Sequence, residues 1–284
     1  MTGGERMNLI RNKLTVGAEK PFRFLHMSDT HFTLADERDD LRKRELAEKR
    51  TKWHANAEQI SEEVEAYARE NGLMIAHTGD YIDFVSAANL DRLKRFTDEN
   101  DVFFAAGNHE FSLYVGEAFE DAAYREISLA RVQACVKNNL RFASKKVNGV
   151  NLIAIDNGYY LFEAWQLEAL KKEAAYGLPM LLFMHTPLYD PDLYRIMGEH
   201  GCLGEAAYMV ATPEELMTGY SEYRYRQQRA DAVTLETVEY IKNQPLIRGI
   251  FCGHLHDFVS ETRLTDRITQ HVSNFDNVRL VEVE

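Results

Sequence analysis

An α/β fold with mixed sheets is expected for this chain, and three observations predict it. Six short apolar segments, at residues 22–27, 73–76, 102–106, 152–155, 180–184 and 246–252, have strand length and run continuously apolar rather than alternating. That is the pattern of sheet interiors covered on both faces. Amphipathic stretches of helical spacing separate most of them. The end of the chain instead reads as three short strands with alternating patterning, at residues 258–264, 267–272 and 278–283. Helix-separated strands followed by antiparallel strands point to a mixed arrangement.

The elements follow in order. Residues 1–20 mix Glu5, Arg6, Arg11 and Lys13 with isolated apolar residues and lack the apolar core of a signal peptide. No run approaches the ~18 apolar residues of a membrane span, so a reducing, cytoplasmic setting is expected. Residues 36–70 are charge-rich. Their later part sets Trp53, Ala57, Ile60, Val64 and Ala68 on one stripe, with Gly72 as the stop. The earlier part, through Leu41 and Leu46, has a thinner stripe that suits either a loop or an exposed helix. Leu90, Leu93 and Phe96 predict a short helix, and Ile127, Leu129, Val132 and Val136 a longer one preceded by residues 117–121. Trp165, Leu167 and Leu170 predict another, and Val233, Val238 and Ile241 one more. Val147-Asn148-Gly149-Val150 reads as a hairpin, because Asn-Gly supplies the positive φ angles of a type I′ turn.

Residues 186–229 have weak periodicity but many tyrosines and methionines, among them Tyr189, Tyr194, Tyr208, Tyr220, Tyr223 and Tyr225. A long irregular segment inside a compact domain is usually functional, and this one lies between two strands that carry candidate ligands. It is expected to form a cap or substrate wall, a homo-oligomer interface, or both.

The formal net charge of −12 argues against a nucleic-acid polymer as partner, which needs cationic surface. It argues equally against docking on anionic membrane. Cys135, Cys202 and Cys252 offer neither a disulfide framework nor a zinc-ribbon spacing; Cys135 and Cys252 read as small buried hydrophobes.

Five of the six apolar segments end in groups able to bind a cation: Asp29-Thr30-His31, Gly79-Asp80, Gly107-Asn108-His109-Glu110, His185 and Gly253-His254-Leu255-His256. Ligand sites in α/β sheets gather beyond the carboxyl ends of strands, so these groups are expected on one rim. Carboxylates, imidazoles and one amide, without cysteine, suit borderline transition metals rather than a structural zinc site. In an extended segment Asp29 and His31 leave the same face, as do His254 and His256. Each motif alone is commonplace; their ordered coincidence is what carries information. His26 and His77 read as core or supporting histidines, His200 as exposed, and His54 and His271 carry no motif.

The order Asp-x-His, Gly-Asp-x-x-Asp, Gly-Asn-His-Glu, His, Gly-His-x-His, with Asp83 closing the second motif, resembles the calcineurin-like metallophosphoesterase superfamily. The resemblance spans residues 29–256. It implies a four-layer αββα sandwich, with two mixed β-sheets facing each other and helices outside; with no domain linker in the sequence, one domain spanning 1–284 is expected. It also implies two transition-metal ions, Mn, Fe, Zn, Co or Ni. Asp29, His31 and His256 look like the ligands of one ion and Asn108, His185 and His254 like those of the other, with Asp80 bridging. A bridging hydroxide would then attack a phosphate ester. His109 would act as general acid or charge stabiliser beside the phosphate, and Asp83 and Glu110 would support the ligands. Within that reading a small phosphorylated substrate, and a small-molecule phosphodiester first, is expected. A phosphomonoesterase acting on nucleotides or sugar phosphates is the alternative. A non-catalytic metal-binding scaffold is a third reading, against which stands a complete set of ligand positions.

Overall fold

The structure, a computed structural model, describes residues 7–115, 121–256 and 258–284. Residues 1–6 of the N-terminal segment and residues 117–120 of the expected acidic lead-in lie outside the described residues.

Two mixed sheets face each other. The first holds β1 (Asn8–Leu14), β11 (Asn277–Val283), β2 (Phe22–Met27), β3 (Met74–His77) and β4 (Val102–Phe104), in that order. The second holds β5 (Phe142–Val147), β6 (Val150–Ile155), β7 (Met180–Phe183), β8 (Ile247–Cys252), β10 (Thr269–Val272) and β9 (Ser260–Arg263). Strands β2, β3 and β4 run parallel, as do β6, β7, β8 and β10. Their carboxyl ends therefore gather at one end of each sheet.

The apolar runs are unbroken because each strand buries both faces. In β2, Phe24 joins Phe183, Phe251, Leu152 and Val281 in the core between the sheets. Leu25 and Met27 instead pack outward with Ile60, Val64, Leu93 and Phe96. In β7, Leu181 and Phe183 face inward, whereas Met180 and Leu182, with Met184 just past the strand, pack with Leu170, Leu193, Val238 and Ile241. Phe24 meets Phe183 edge-on at 5.6 Å and Phe251 at 5.3 Å, the offset geometry aromatic rings prefer. Helices cover the outer faces: α2 (Ala57–Asn71), α3 (Ala87–Glu99) and α4 (Ala122–Gln133) on the first sheet, α5 (Ala164–Ala174), α6 (Pro191–Glu199) and α8 (Ala232–Asn243) on the second. The architecture is the four-layer αββα sandwich.

Several local expectations are met and several corrected. Gly72 caps α2 with φ of 60°, and Asn148 and Gly149 turn the β5–β6 hairpin at φ of 46° and 81°. Trp53, however, lies outside the α2 stripe, in a short turn at Thr51–Trp53, and is 72% exposed. Ile127 is also exposed. The charge-rich stretch before Trp53 forms helix α1 (Leu41–Arg50), capped by the Asp40 side chain. The three C-terminal strands exist but do not form one antiparallel unit. Strand β10 runs parallel to β8, and β11 crosses to the first sheet between β1 and β2. Strand β1, a half-exposed edge with charged residues between its apolar ones, gave no strand signal.

Residues 186–229 contain α6, two single turns at Glu205–Ala207 and Glu214–Leu216, and α7 (Glu222–Gln228). No described helix is long and apolar enough to cross a membrane.

Candidate metal centre

The loops that leave β2, β3, β4, β7 and β8 meet where the sheets end. Asp29, His31, Asp80 and His256 each offer a ligand atom, and these atoms lie within 4.8 Å of one another. His31 Nε2 is 3.8 Å from Asp29 Oδ1 and 3.6 Å from Asp80 Oδ2. His256, half exposed, stands at the mouth with Nε2 3.8 Å from Asp29 Oδ1. His185 Nε2 lies 3.1 Å from the same Asp80 oxygen, Oδ2, and 3.3 Å from His254 Nδ1. Asn108 sits between two residues that touch Asp80. The His109 backbone N–H donates to Asp80 Oδ1 at 2.9 Å, and a Cβ on Gly107 would lie 2.2 Å from the same oxygen. Gly107 is thus required for close approach rather than for turn geometry.

Asp29 and His31 do not leave one face of an extended segment, and neither do His254 and His256. Both pairs lie beyond their strands, with φ of 57° and 49° at Asp29 and His31 and of 71° and 47° at His254 and His256. Asp80 is at 54°. Left-handed backbone at non-glycine residues is costly and persists where surrounding contacts over-determine it. The twist sends His254 toward His185 and His256 toward Asp29 and His31.

Those surrounding contacts are specific. Glu110, fully buried, accepts four backbone N–H groups: Gly107 and Asp80 at 2.7 Å, Tyr81 at 2.8 Å and Ile82 at 3.4 Å. Its carboxylate ties the β3 and β4 loops together. Asp29 accepts the His254 N–H at 2.9 Å. The one apolar segment that brings no ligand, β6, supplies Asn157, whose Oδ1 accepts the N–H groups of His185 and Thr186 at 3.0 Å. His185 donates Nδ1–H to the Thr78 carbonyl at 2.8 Å, which turns Nε2 toward Asp80.

Asp83 is the second anchor. Its Oδ1 accepts from His31 Nδ1 at 3.0 Å, and its carbonyl accepts from His109 Nδ1 at 2.7 Å. His31, Asp83 and His109 also have the spacing of a cation site. The Arg50 guanidinium already occupies both Asp83 oxygens, so this trio works as a support for the imidazoles.

Electrostatics follow from burial and charge. Burial opposes ionisation of Asp29, yet His31, His185 and His256 hold it down at about 2. Asp80 is held well below the usual carboxylate range, against burial, by His185 and His109. Burial would lower His185 and His109, but Asp80 and its neighbours raise them to about 9 and about 10. Burial keeps His254 well below its usual value, which leaves it a neutral imidazole. Four buried atoms in this cluster lack a hydrogen bond: His31 Nε2, Asp80 Oδ2, Asn108 Oδ1 and His254 Nε2. Bare buried polar groups are costly, and a donor set of carboxylate, amide and imidazole fits borderline divalent cations, which would satisfy them.

Two nearby residues gave no sequence signal. His54 stacks on His31 at 4.8 Å and 17°, and Tyr160, nearly buried with φ of 71°, meets His254 at 5.7 Å. His26 and His77 are core histidines bonded to Thr78 and Thr30. Cys135 and Cys252 are buried.

The calcineurin-like phosphoesterase family model matches residues 22–258, a span that contains all the candidate ligands and His109. Among solved structures, a candidate 5′-nucleotidase from Staphylococcus aureus, in complex with α-ketoglutarate, is 15% identical at a TM-score of 0.48, over 93% of this chain and 51% of that one. A phosphopantetheinyl hydrolase from Mycobacterium tuberculosis is 12% identical at 0.41, over 93% and 90%. A cold-active protein tyrosine phosphatase is 12% identical at 0.35, over 95% and 73%. The chain spans about half the length of the first of these. No curated protein matches it.

Glu110→Gln tests the loop anchor. An amide nitrogen would face backbone N–H groups, and the expected cost is about 1–3 kcal/mol, the desolvation penalty of donors left unsatisfied. Burial and Asp80 raise Glu110 to about 7, so urea denaturation of metal-free protein should be compared at pH 8. Equal stability of the two proteins would contradict the anchor.

Proposed function

The chain belongs to the calcineurin-like phosphoesterase family, and we propose that it is a metal-dependent phosphoesterase that holds two transition-metal ions and acts first on small phosphodiesters. The observation that carries this reading is the cluster of buried polar atoms without hydrogen bonds around Asp80. Asp29, His31 and His256 would hold one cation and Asn108, His185 and His254 the other, with Asp80 shared between them. When bound, such cations polarise phosphoryl oxygens and lower the pKa of water toward ~7.

The remaining work falls to the chain. Glu110 and Asn157 fix the loops that present Asp80 and His185. Asp83 fixes the tautomer of His31 with Nε2 facing inward. His109 has its Nδ1–H engaged by the Asp83 carbonyl. Its Nε2 is left to give a proton to the leaving oxygen, and the Asp80 and Asp83 carboxylates favour the protonated imidazole.

We place the diester first on the Gly107-Asn108-His109-Glu110 form of the third motif and on the long segment that precedes Gly253. We assign residues 186–229 to a wall on the His254 side, as an insertion in a single domain spanning 1–284. Tyr160 supports this: it contacts His254 and stands perpendicular to Tyr208 of that segment at 5.5 Å, and Arg224 donates to its hydroxyl at 3.4 Å.

Protein loaded with Mn, Zn or Ni is expected to hydrolyse bis-p-nitrophenyl phosphate with higher kcat/KM than p-nitrophenyl phosphate. Activity on the monoester alone would overturn the diesterase assignment and favour a phosphomonoesterase. His109→Ala leaves the backbone N–H on Asp80 in place, so metal content should be kept while kcat on an alkyl phosphodiester falls about 10²–10⁴-fold, the range for a lost general acid, and much less on the nitrophenyl esters, whose leaving group needs no proton. Loss of metal by this variant, measured by elemental analysis, would mean that His109 is a ligand.

A further inference from the structure

Helix α1 and the turn after it lie outside every ligand motif, yet they grip the back of the centre at three points. Arg50, the last residue of α1, donates Nη2–H to Asp83 Oδ1 at 2.8 Å and Nε–H to Oδ2. Thr51 exchanges a 2.8 Å hydrogen bond with Thr33, two residues past His31. His54 lies flat on the His31 ring. Asp83 itself is fully buried, whereas the Arg50 side chain is 15% exposed and packs against Trp53 at 5.2 Å.

The fork matters because Asp83 serves two imidazoles. Its Oδ1 is 3.0 Å from His31 Nδ1 and 3.3 Å from His109 Nδ1. A carboxylate held by one contact could rotate to favour either ring. Two parallel N–H···O bonds from a planar guanidinium fix the plane of the carboxylate, and that plane sets the angle at which His31 offers Nε2. Partners that orient a ligating imidazole typically change metal affinity 10–100-fold when removed.

We propose that Arg50 is a positioning residue for the metal centre, acting through Asp83 on His31. The inference rests on the phosphoesterase reading above and names a residue that reading does not require. Arg50 touches none of the candidate ligands; it works at one remove, from a helix between the first and second motifs.

Calorimetric titration of metal-free protein with Mn(II) tests it without any turnover assay. Arg50→Ala and Arg50→Gln should bind about 10–100-fold more weakly than the parent at one site and near normally at the other. Added guanidinium ion, below denaturing concentration, should recover part of the loss in Arg50→Ala. Arg50→Lys, which restores the charge but not the fork, should fall between. Wild-type affinity in both neutral variants, or weakened binding that guanidinium does not touch, would overturn the proposal while leaving the metal centre standing. Failure of the parent to bind Mn(II), Zn(II) or Ni(II) would instead remove the phosphoesterase reading and this inference with it. Should Arg50→Ala not fold, Arg50→Gln, close in size and neutral, carries the comparison.

Discussion

Asp80 is buried where the two sheets end, with His185 of the second sheet at 3.1 Å from its carboxylate and His31 of the first at 3.6 Å. Holding that carboxylate in place is the task on which the rest of the site depends. Glu110 binds the backbone of Asp80 and Gly107 together, and the close approach of these loops leaves no room for a side chain at Gly79 or Gly107. A Cβ on Gly79 would sit 2.3 Å from the Gly107 nitrogen. The opposite sheet is docked by reciprocal contacts: Asn157 holds the His185 loop and Asp29 holds the backbone of His254. Each loop is fixed by a side chain of a neighbour, so no ligand position is set by its own strand alone.

This mutual support explains how the strain persists. Asp29, His31, Asp80, His254 and His256 all take left-handed backbone conformations, at an order of 1–3 kcal/mol each. Two ionised carboxylates, Asp29 and Asp80, are also buried within one cluster. Protons on His185 and His109 offset their charge when no cation is bound, and His31 is raised too, as the Asp29, Asp83 and Asp80 carboxylates overcome the effect of burial. A metal entering the cluster would take the place of the proton on His185, the usual coupling between metal uptake and ligand deprotonation. The acidic balance of the whole chain therefore says little about how an anionic substrate would meet this end of the sheets.

Much of this was legible in the sequence because the signals are short-range. Doubly buried strands leave unbroken apolar runs, and the polar or glycine punctuation after Met27, His77, Ala106, Met184 and Cys252 falls within two residues of where those strands stop. What could not be read depends on tertiary contact. Trp53 keeps helical spacing with Ala57 and Ile60 but falls on a turn. Strand β1 exists because β11 returns to pair with it, and β11 leaves the strands that precede it in sequence. The left-handed twist of the ligand loops falls on aspartates and histidines rather than on glycines, so residue type does not announce it. Arg50, His54 and Tyr160 reach the centre from elements without motifs, so neither spacing nor residue type singles them out.

The family and the four-layer fold give the chain a phosphoesterase frame; the bare polar atoms around Asp80 give it the specific claim that two cations share one carboxylate. Electron paramagnetic resonance of protein reconstituted with Mn(II), alongside elemental analysis, addresses that claim most directly. The account predicts close to two ions per chain and the multiline spectrum of an exchange-coupled pair, since ions bridged at ~3.5–4 Å interact magnetically, and it predicts collapse of that coupling in Asp80→Asn. A single uncoupled Mn(II) signal, or less than one ion per chain after reconstitution, would contradict it.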